Sequence, residues 1–378
     1  MFWASTLPTP CLFLRLNTTR RCASSDASNR FRILFMGRDE FSCRVLERLH
    51  KSDDVWQELT IATQPDVHVG RRGSVLSVSP LKLLGEHLGI PVHTIPKVKK
   101  EFRHWPLPAP FSLGEDNPAP PNHILVTASF GRILSQNMLG QFQPSCRLNV
   151  HPSLLPSYRG PAPIQHSIMN DEKETGVCVI QMLKKSEGID AGAIWGCRKM
   201  LMPENATYPA LRDKLAREGG DLLVSVLRDM LKGKATSLPQ VSAGSAPKAP
   251  FIRAEDTYVD FTAMSADHIF SRFRALSHQK PLFTYTPNGK PLHLNDMVVV
   301  SPQEAQRLSP TPGQSTFSKA ADMLLIRCAG GSVLGVTKVK PEGKADRPAG
   351  EFWNGVRAPS VDGVKHLMLG QQKLEAKL

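Results

Sequence analysis

Hydrophobic and polar positions divide the chain into two textures. Ile33-Leu34-Phe35-Met36 is an unbroken apolar run closed by Gly37, which predicts a strand buried on both faces. Phe41, Val45, Leu46 and Leu49 follow at helical spacing, so strand, glycine turn and helix open a βα unit. Leu59 to Ala62 predicts a second strand, leading into the polar loop T-Q-P-D-V-H-V-G-R-R-G-S. Ser79-Pro80 then supplies an N-cap and a first-turn proline for a helix reaching Leu88. His123 to Ala128 predicts a further strand, followed by S-F-G-R. Leu148 to His151 predicts another, ended by Pro152, which has no N–H and a fixed φ. Ala206 to Lys232 carries Leu211, Leu215, Leu222, Val226, Leu227 and Met230 in a helical pattern that Gly219-Gly220 is expected to interrupt or bend.

The texture changes after Gly233 to Pro250, a stretch rich in Ser, Ala, Gly and Pro that reads as an interdomain linker. Beyond it, one helix is predicted over Ala266 to Leu276. Short β-like runs follow at Val298–Val300, Met323–Ile326 and Val333–Val336, punctuated by Pro and Gly. The pattern predicts a parallel α/β domain over 31–232, the linker over 233–250, and a small β-rich domain of barrel type beyond it. A tail covers 366–378. No internal repeat is visible.

The length, 378 residues, suits two domains plus extensions. Hydrophobic residues at 41% and charged residues at 21% fit a globular chain with a sizeable core. The net charge of +13 changes the picture, because it favours an anionic partner such as nucleic acid. Residues 248 to 378 hold 17 basic and 12 acidic residues, so both domains share the basic excess. No apolar run approaches the ~20 residues that span a bilayer. The seven cysteines are scattered without a C-x-x-C pair, which speaks against a disulfide framework or a Cys-rich zinc site, and no metal-ligand pattern stands out. Residues 1–30 have no acid before Asp26, are rich in Ser and Thr, and carry Arg15, Arg20, Arg21 and Arg30. That is the pattern of a mitochondrial transit peptide. A secretory signal, its competitor, would place its charge before the apolar patch.

The candidate chemistry lies between Asn149 and Asp190. Asn149 and His151 are two apart in a predicted strand, so both side chains point to one face, at the end where a loop begins. Open α/β sheets place ligands at such ends. Asp190 lies in a turn between Gly188 and Gly192 that can present a carboxylate to a cleft. Asn, His and Asp in one cleft would suit acyl transfer, the first two bonding a developing oxyanion and the third managing protons.

The stretch N-V-H-P-S-L-L-P-S-Y-R-G-P-A-P-I resembles the core signature of the 10-formyltetrahydrofolate-dependent formyltransferases. The T-Q-P-D loop with its G-R-R-G, the P-A-P-I-Q-H, the A-P-K near Lys248 and the C-terminal domain look like the members that act on methionyl-tRNA. The resemblance covers residues 31 to 365, tightest at the central signature, and implies a Rossmann-like parallel-sheet catalytic domain over 31–232 followed by a small OB-like β-barrel over 251–365. It implies that Asn149 and His151 polarise the formyl group and that Asp190 assists proton transfer. It implies a folate pocket at Phe130, Gly131, Ser153, Leu154, Leu155 and Pro156, tRNA contacts at Arg71 and Arg72, and a methionine side-chain pocket at Phe41. The implied donor is 10-formyltetrahydrofolate, the implied partner methionyl-tRNA, and the implied state a monomer without a metal or a membrane. Two departures stand out. The G-R-R-G loop lacks the further lysines of bacterial members, and Tyr158 stands where many relatives carry Trp. Two other readings stay open: a formyltransferase for a small amine or sugar nucleotide, and a non-catalytic RNA-binding protein on the same scaffold.

Overall fold

The computed structural model describes residues 30–70, 73–114, 117–241, 244–301, 303, 308–361 and 363–370. The expected transit peptide and most of the tail therefore lie outside the described residues.

The first domain runs β1 (Phe31–Gly37), α1 (Glu40–His50), β2 (Trp56–Thr63), β3 (Val67–Val69), β4 (Val75–Ser77), α2 (Pro80–His87), β5 (Val92–Thr94), α3 (Lys99–Phe102), β6 (His123–Ala128), α4 (Gln136–Gly140), β7 (Arg147–His151), α5 (Pro163–Met169), β8 (Glu174–Gln181), β9 (Ile194–Leu201) and α6 (Tyr208–Leu231). Its main sheet has the order β5-β2-β1-β6-β7-β8-β9. The strands from β5 to β7 are parallel, while β8 and β9 join antiparallel. The unbroken apolar runs are explained by burial on both faces. Ile33 and Phe35 enter the core shared with α1 and α6, while Leu34 and Met36 enter the opposite one with Phe102, Phe111 and Phe142. In β7, Leu148 and Val150 belong to the first face, which turns Asn149 and His151 to the second. The chain leaves β1 toward β2 and β5, then returns to the other side of β1 through β6. The crevice at this switch point opens where Gly37 and Ala128 lie in register at the strand ends.

One expectation needs correction, and two gain detail. α6 is one continuous helix through Gly219-Gly220. The two glycines allow close approach instead: a Cβ on Gly219 would lie 2.7 Å from Val150 Cγ1, and one on Gly220 2.7 Å from Arg48 Cβ. Ser79 does occupy the N-cap of α2, but its hydroxyl donates to the Arg38 carbonyl (2.7 Å) and meets Thr63 Oγ1 (2.7 Å) rather than capping the helix. The stretch 233–250 is strapped down. Leu238 exchanges backbone hydrogen bonds with Ile194, Tyr158 N donates to Pro247 O (2.6 Å), and Ala249 N donates to Arg159 O (2.9 Å).

The second domain contains α7 (Ala266–Leu276), β10 (Leu282–Tyr285), β11 (Pro291–Val300), β12 (Gln314–Ser318), β13 (Met323–Arg327), β14 (Val333–Pro341), β15 (Arg347–Pro348), α8 (Ala349–Asn354), β16 (Ser360–Val361), β17 (Val364–Lys365) and β18 (Leu367–Met368). Its sheet is antiparallel, in the order β10-β11-β14-β13-β12-β18. The sheet is a curled half-barrel, consistent with an OB-like domain. Among the described residues its two edges meet through one backbone hydrogen bond, Gly370 N to Tyr285 O (2.8 Å), not through a closing ladder. The domains share a core. Ile269, Ala275 and Leu276 of α7 join the same apolar cluster as Ile164 and Ile168 of α5 and Leu211 and Leu215 of α6. Tyr208 stacks on His278 at 3.8 Å between ring centroids, and Arg274 Nη1 donates to Ala206 O (3.0 Å). Among the described residues no helix is long and apolar enough to cross a membrane.

Candidate active site

A cavity of about 550 Å³ opens at the carboxyl ends of β1, β6 and β7. Asn149, His151 and Asp190 all line it. Asn149 Oδ1 accepts from the Thr127 hydroxyl (2.8 Å), which fixes the amide so that Nδ2 donates to Asp190 Oδ1 (3.3 Å). Asp190 Oδ2 accepts from Gly160 N (3.0 Å) and lies 3.7 Å from His151 Nδ1. His151 is buried, and its Nε2 sits 3.0 Å from the Tyr158 carbonyl oxygen. A carbonyl only accepts, so Nε2 carries a hydrogen and Nδ1 is the exchangeable position facing Asp190. At 3.7 Å the pair is too far for a direct hydrogen bond, and a reacting group in the cavity can face both.

Local conformation places these groups. Asp190 has φ +54, a left-handed backbone that Asp tolerates better than most residues. It is held there by Gln240, whose Nε2 donates to the carbonyls of Asp190 and Gly192, both at 2.8 Å. Arg159 in turn donates from Nε to Gln240 Oε1 (3.0 Å). Gly160 has φ +124, and a Cβ there would lie 2.5 Å from the Ala249 carbonyl, so only glycine lets this N–H reach Asp190. Tyr158, at φ +63, turns its carbonyl to His151 while its hydroxyl donates to Glu172 (2.5 Å) and accepts from Asn170 (2.9 Å). Burial, then the bond to Glu172, pushes the Tyr158 phenol up to about 12, so it stays a donor at neutral pH.

The other expected residues are placed as follows. Phe130 and Gly131 line the cavity, and the Phe130 carbonyl accepts from Gln64 Nε2 (2.8 Å). Ser153, Leu154, Leu155 and Pro156 do not line it. The Ser153 hydroxyl closes its own turn on Ser157 O (2.7 Å), and Leu155 packs on Cys178 and Ile180 of β8, on the same face of the sheet as His151 and Asn149. Phe41 lies at the cavity wall, which Tyr208 and Phe251 also line. Arg71 and Arg72 lie outside the described residues, between the paired strands β3 and β4. Among the described residues, no cluster of His, Cys, Asp and Glu could hold a metal ion.

Sequence reasoning missed three contributors. Asp39 caps α1 through Phe41 N (3.1 Å) and Ser42 N (3.3 Å), accepts from the Ser129 hydroxyl (2.6 Å), and lines the cavity. An Asp two residues past a strand-closing glycine, just before a helical pattern, is a signal that could have found it. Desolvation by burial raises its carboxyl above the usual range, with Ser129 pulling the other way. Thr127 and Gln240 had no local signal, because each acts through a partner 22 or 50 residues away.

Both domains are similar to known proteins. Residues 117–227 match the family model described as formyl transferase, and residues 251–357 match that of the formyl transferase C-terminal domain. The methionyl-tRNA formyltransferase of Staphylococcus epidermidis is 32% identical over 333 residues, covering 88% of this chain and 99% of that protein. That of Streptococcus uberis is 33% identical over 325 residues, covering 86% and 96%. Among solved structures, the sugar 3N-formyl transferase WlaRD, crystallised with dTDP and 5-N-formyl-THF, is 16% identical with a TM-score of 0.54 over 83% of this chain and 99% of its own. HypX from Aquifex aeolicus, in complex with tetrahydrofolic acid, is 17% identical with a TM-score of 0.56 over 89% of this chain and 50% of its own. At such identities these two show the shared fold only. Identity above 30% across nearly the whole of its bacterial relatives shows that this two-domain chain belongs to the methionyl-tRNA formyltransferase family.

Proposed function

We propose that this enzyme transfers the formyl group of 10-formyltetrahydrofolate to the α-amine of methionyl-tRNA, and does so in mitochondria. The observation that carries the reaction is the convergence of Asn149, His151 and Asp190 on one cavity at the sheet's switch point. The names of the bacterial relatives support the substrate pair. The apolar walls at Ile133, Leu139, Ile180 and Met182 suit a flat heterocycle, and the formyl donor is consumed as a substrate. Basic charge and a second domain support a nucleic-acid acceptor over a small amine. The acid-poor, Arg-bearing residues 1–30 support import.

The amine attacks the formyl carbon in its neutral form. An α-amino group titrates near ~8, so a useful fraction is neutral at physiological pH. The carbonyl oxygen gains charge as the bond forms, and the Asn149 amide N–H, aimed by Thr127, stabilises it. His151 Nδ1 and Asp190 together receive the proton that the amine must lose, and return one to the departing folate nitrogen. No acyl-enzyme is needed, because the amine itself is the nucleophile. Ser153 and Leu155 would act on the folate through the shape of the loop, Ser153 by closing its turn on Ser157 and Leu155 by packing behind the cavity wall at Ile180. Arg71, Arg72 and the second domain would hold the tRNA, with Phe41 against the methionine side chain.

The testing experiment compares formyl transfer to charged initiator tRNA, free methionine and an amino-sugar nucleotide. Transfer to charged tRNA alone is the expected result. Preferential transfer to the amino sugar, or no transfer to any acceptor, overturns the reading. A reporter fused to residues 1–35 should enter mitochondria and should stop doing so when Arg15, Arg20 and Arg21 become Glu; a cytosolic or secreted reporter sinks the localisation.

A further inference from the structure

The strand pairing sets two cysteines side by side beyond the cavity. Cys178 of β8 and Cys197 of β9 are direct cross-strand partners, so both sulfurs leave the sheet on the same face. Opposite Cα atoms in an antiparallel pair lie about 4.5 or 5.5 Å apart, and a disulfide accepts roughly 4.4–6.8 Å, so no backbone movement is needed to join them. Both are free thiols; Cys178 is fully buried and Cys197 is exposed.

We propose that Cys197 and Cys178 form a peroxide-reactive pair, in which Cys197 attacks the oxidant and Cys178 resolves the product to a disulfide. The Cys197 thiolate attacks hydrogen peroxide and takes one oxygen. It becomes a sulfenic acid, and the leaving hydroxide picks up a proton to give water. The Cys178 sulfur then attacks Cys197 sulfur, expelling a second water. Two thiols are oxidised and one peroxide is reduced. An exposed sulfur beside a resolving cysteine is the arrangement that redox-sensing thiols share.

The surroundings separate this pair from the other described cysteines. The Cys178 thiol beside it draws Cys197 below the usual thiol range, and the same neighbour, followed by burial, pushes Cys178 up. Burial pushes Cys43 and Cys328 up to about 12 and raises Cys146. The site is also close to the chemistry. Cys178 is the cross-strand partner of His151, and Leu155, packed on Cys178, begins the turn that ends in the Tyr158 carbonyl on His151 Nε2. The inference does not depend on the proposed acceptor.

The test exposes the full-length reduced protein to hydrogen peroxide under native conditions. Free thiols are then blocked with N-ethylmaleimide and the peptides mapped. A Cys178–Cys197 cross-link that dithiothreitol reverses is the expected product. Cys197→Ser should abolish the cross-link and leave Cys178 unoxidised. Cys178→Ala should leave a Cys197 sulfenic acid that dimedone captures. Before any peroxide, iodoacetamide should modify Cys197 about ten-fold faster than Cys43, Cys146 or Cys328, as a thiolate-rich exposed sulfur does. The unsubstituted chain alone decides the matter if a variant misfolds. Cys178 and Cys197 both still reduced after a peroxide dose that oxidises free cysteine, or Cys197 alkylated no faster than the buried thiols, overturns the proposal.

Discussion

His151 is defined by two neighbours rather than by its own type. The Tyr158 carbonyl fixes one ring nitrogen as a donor, and Asp190 faces the other at 3.7 Å. Asn149→Ala should lower kcat by about 10²–10³, as loss of an oxyanion donor does, and His151→Ala by about 10²–10⁴, as loss of a proton-transfer group does, each with little change in folate affinity. Asp190→Asn should be comparably damaging; near-normal turnover by any of the three in a purified assay would mean the chemistry lies elsewhere. Tyr158→Phe tests the support behind the ring. It removes the hydroxyl that binds Glu172 and Asn170, so kcat should fall while KM for the acceptor holds. Equal loss in both parameters would point to a general packing defect. Asp39 supplies a pH test. Burial raises its folded pKa, so its contribution to stability is complete below about pH 4 and is lost as pH rises through the raised value. The stability of Asp39→Asn relative to the parent should therefore improve from pH 4 to pH 8 in urea unfolding. A relative loss over that range would contradict the burial argument.

At the scale of elements, α6 shows packing overruling propensity. Glycine inside a helix costs ~1 kcal/mol relative to alanine, so Gly219→Ala ought to stabilise an isolated helix. Here the added methyl would meet Val150 and Val177 of the sheet at 2.7 and 3.0 Å. Gly219→Ala should instead destabilise the domain by about 1–3 kcal/mol, the usual effect of overpacking. Urea unfolding measures it, and a more stable variant would show that the helix can lift without cost. The strap at 238–250 makes the same point for a segment of loop composition. Its backbone is tied at Leu238, Pro247 and Ala249, and Gln240 reaches from it to the Asp190 turn.

At the scale of the molecule, the two domains are bound into one core through α5, α6 and α7. Deleting residues 251–378 should therefore uncover apolar faces of α5 and α6, lower the thermal midpoint and promote aggregation. An unchanged midpoint for the truncated chain would show two independent folding units. RNA contact by the second domain is better tested without truncation. Lys290, Lys340 and Lys344 are exposed near the end of the β11–β14 ladder. Replacing all three with alanine should weaken tRNA binding and reduce the salt slope by about 2–3, since each phosphate contact contributes ~0.9. An unchanged slope would place the RNA elsewhere.

What the sequence determined by itself was local. The strand at His123–Ala128, the helix at Ala266–Leu276 and the common face of Asn149 and His151 follow from period and punctuation, which act over a few residues. The glycine turn that holds Asp190 was legible for the same reason. The tertiary structure alone decided the rest. It brought Asp190 to Asn149 across 41 residues, tied Gln240 to that turn, kept α6 unbroken, left the second sheet as a half-barrel, and set Cys178 against Cys197. These depend on strand order and on how closely two elements approach. Many small packing contributions from distant segments set both, so no local pattern records them.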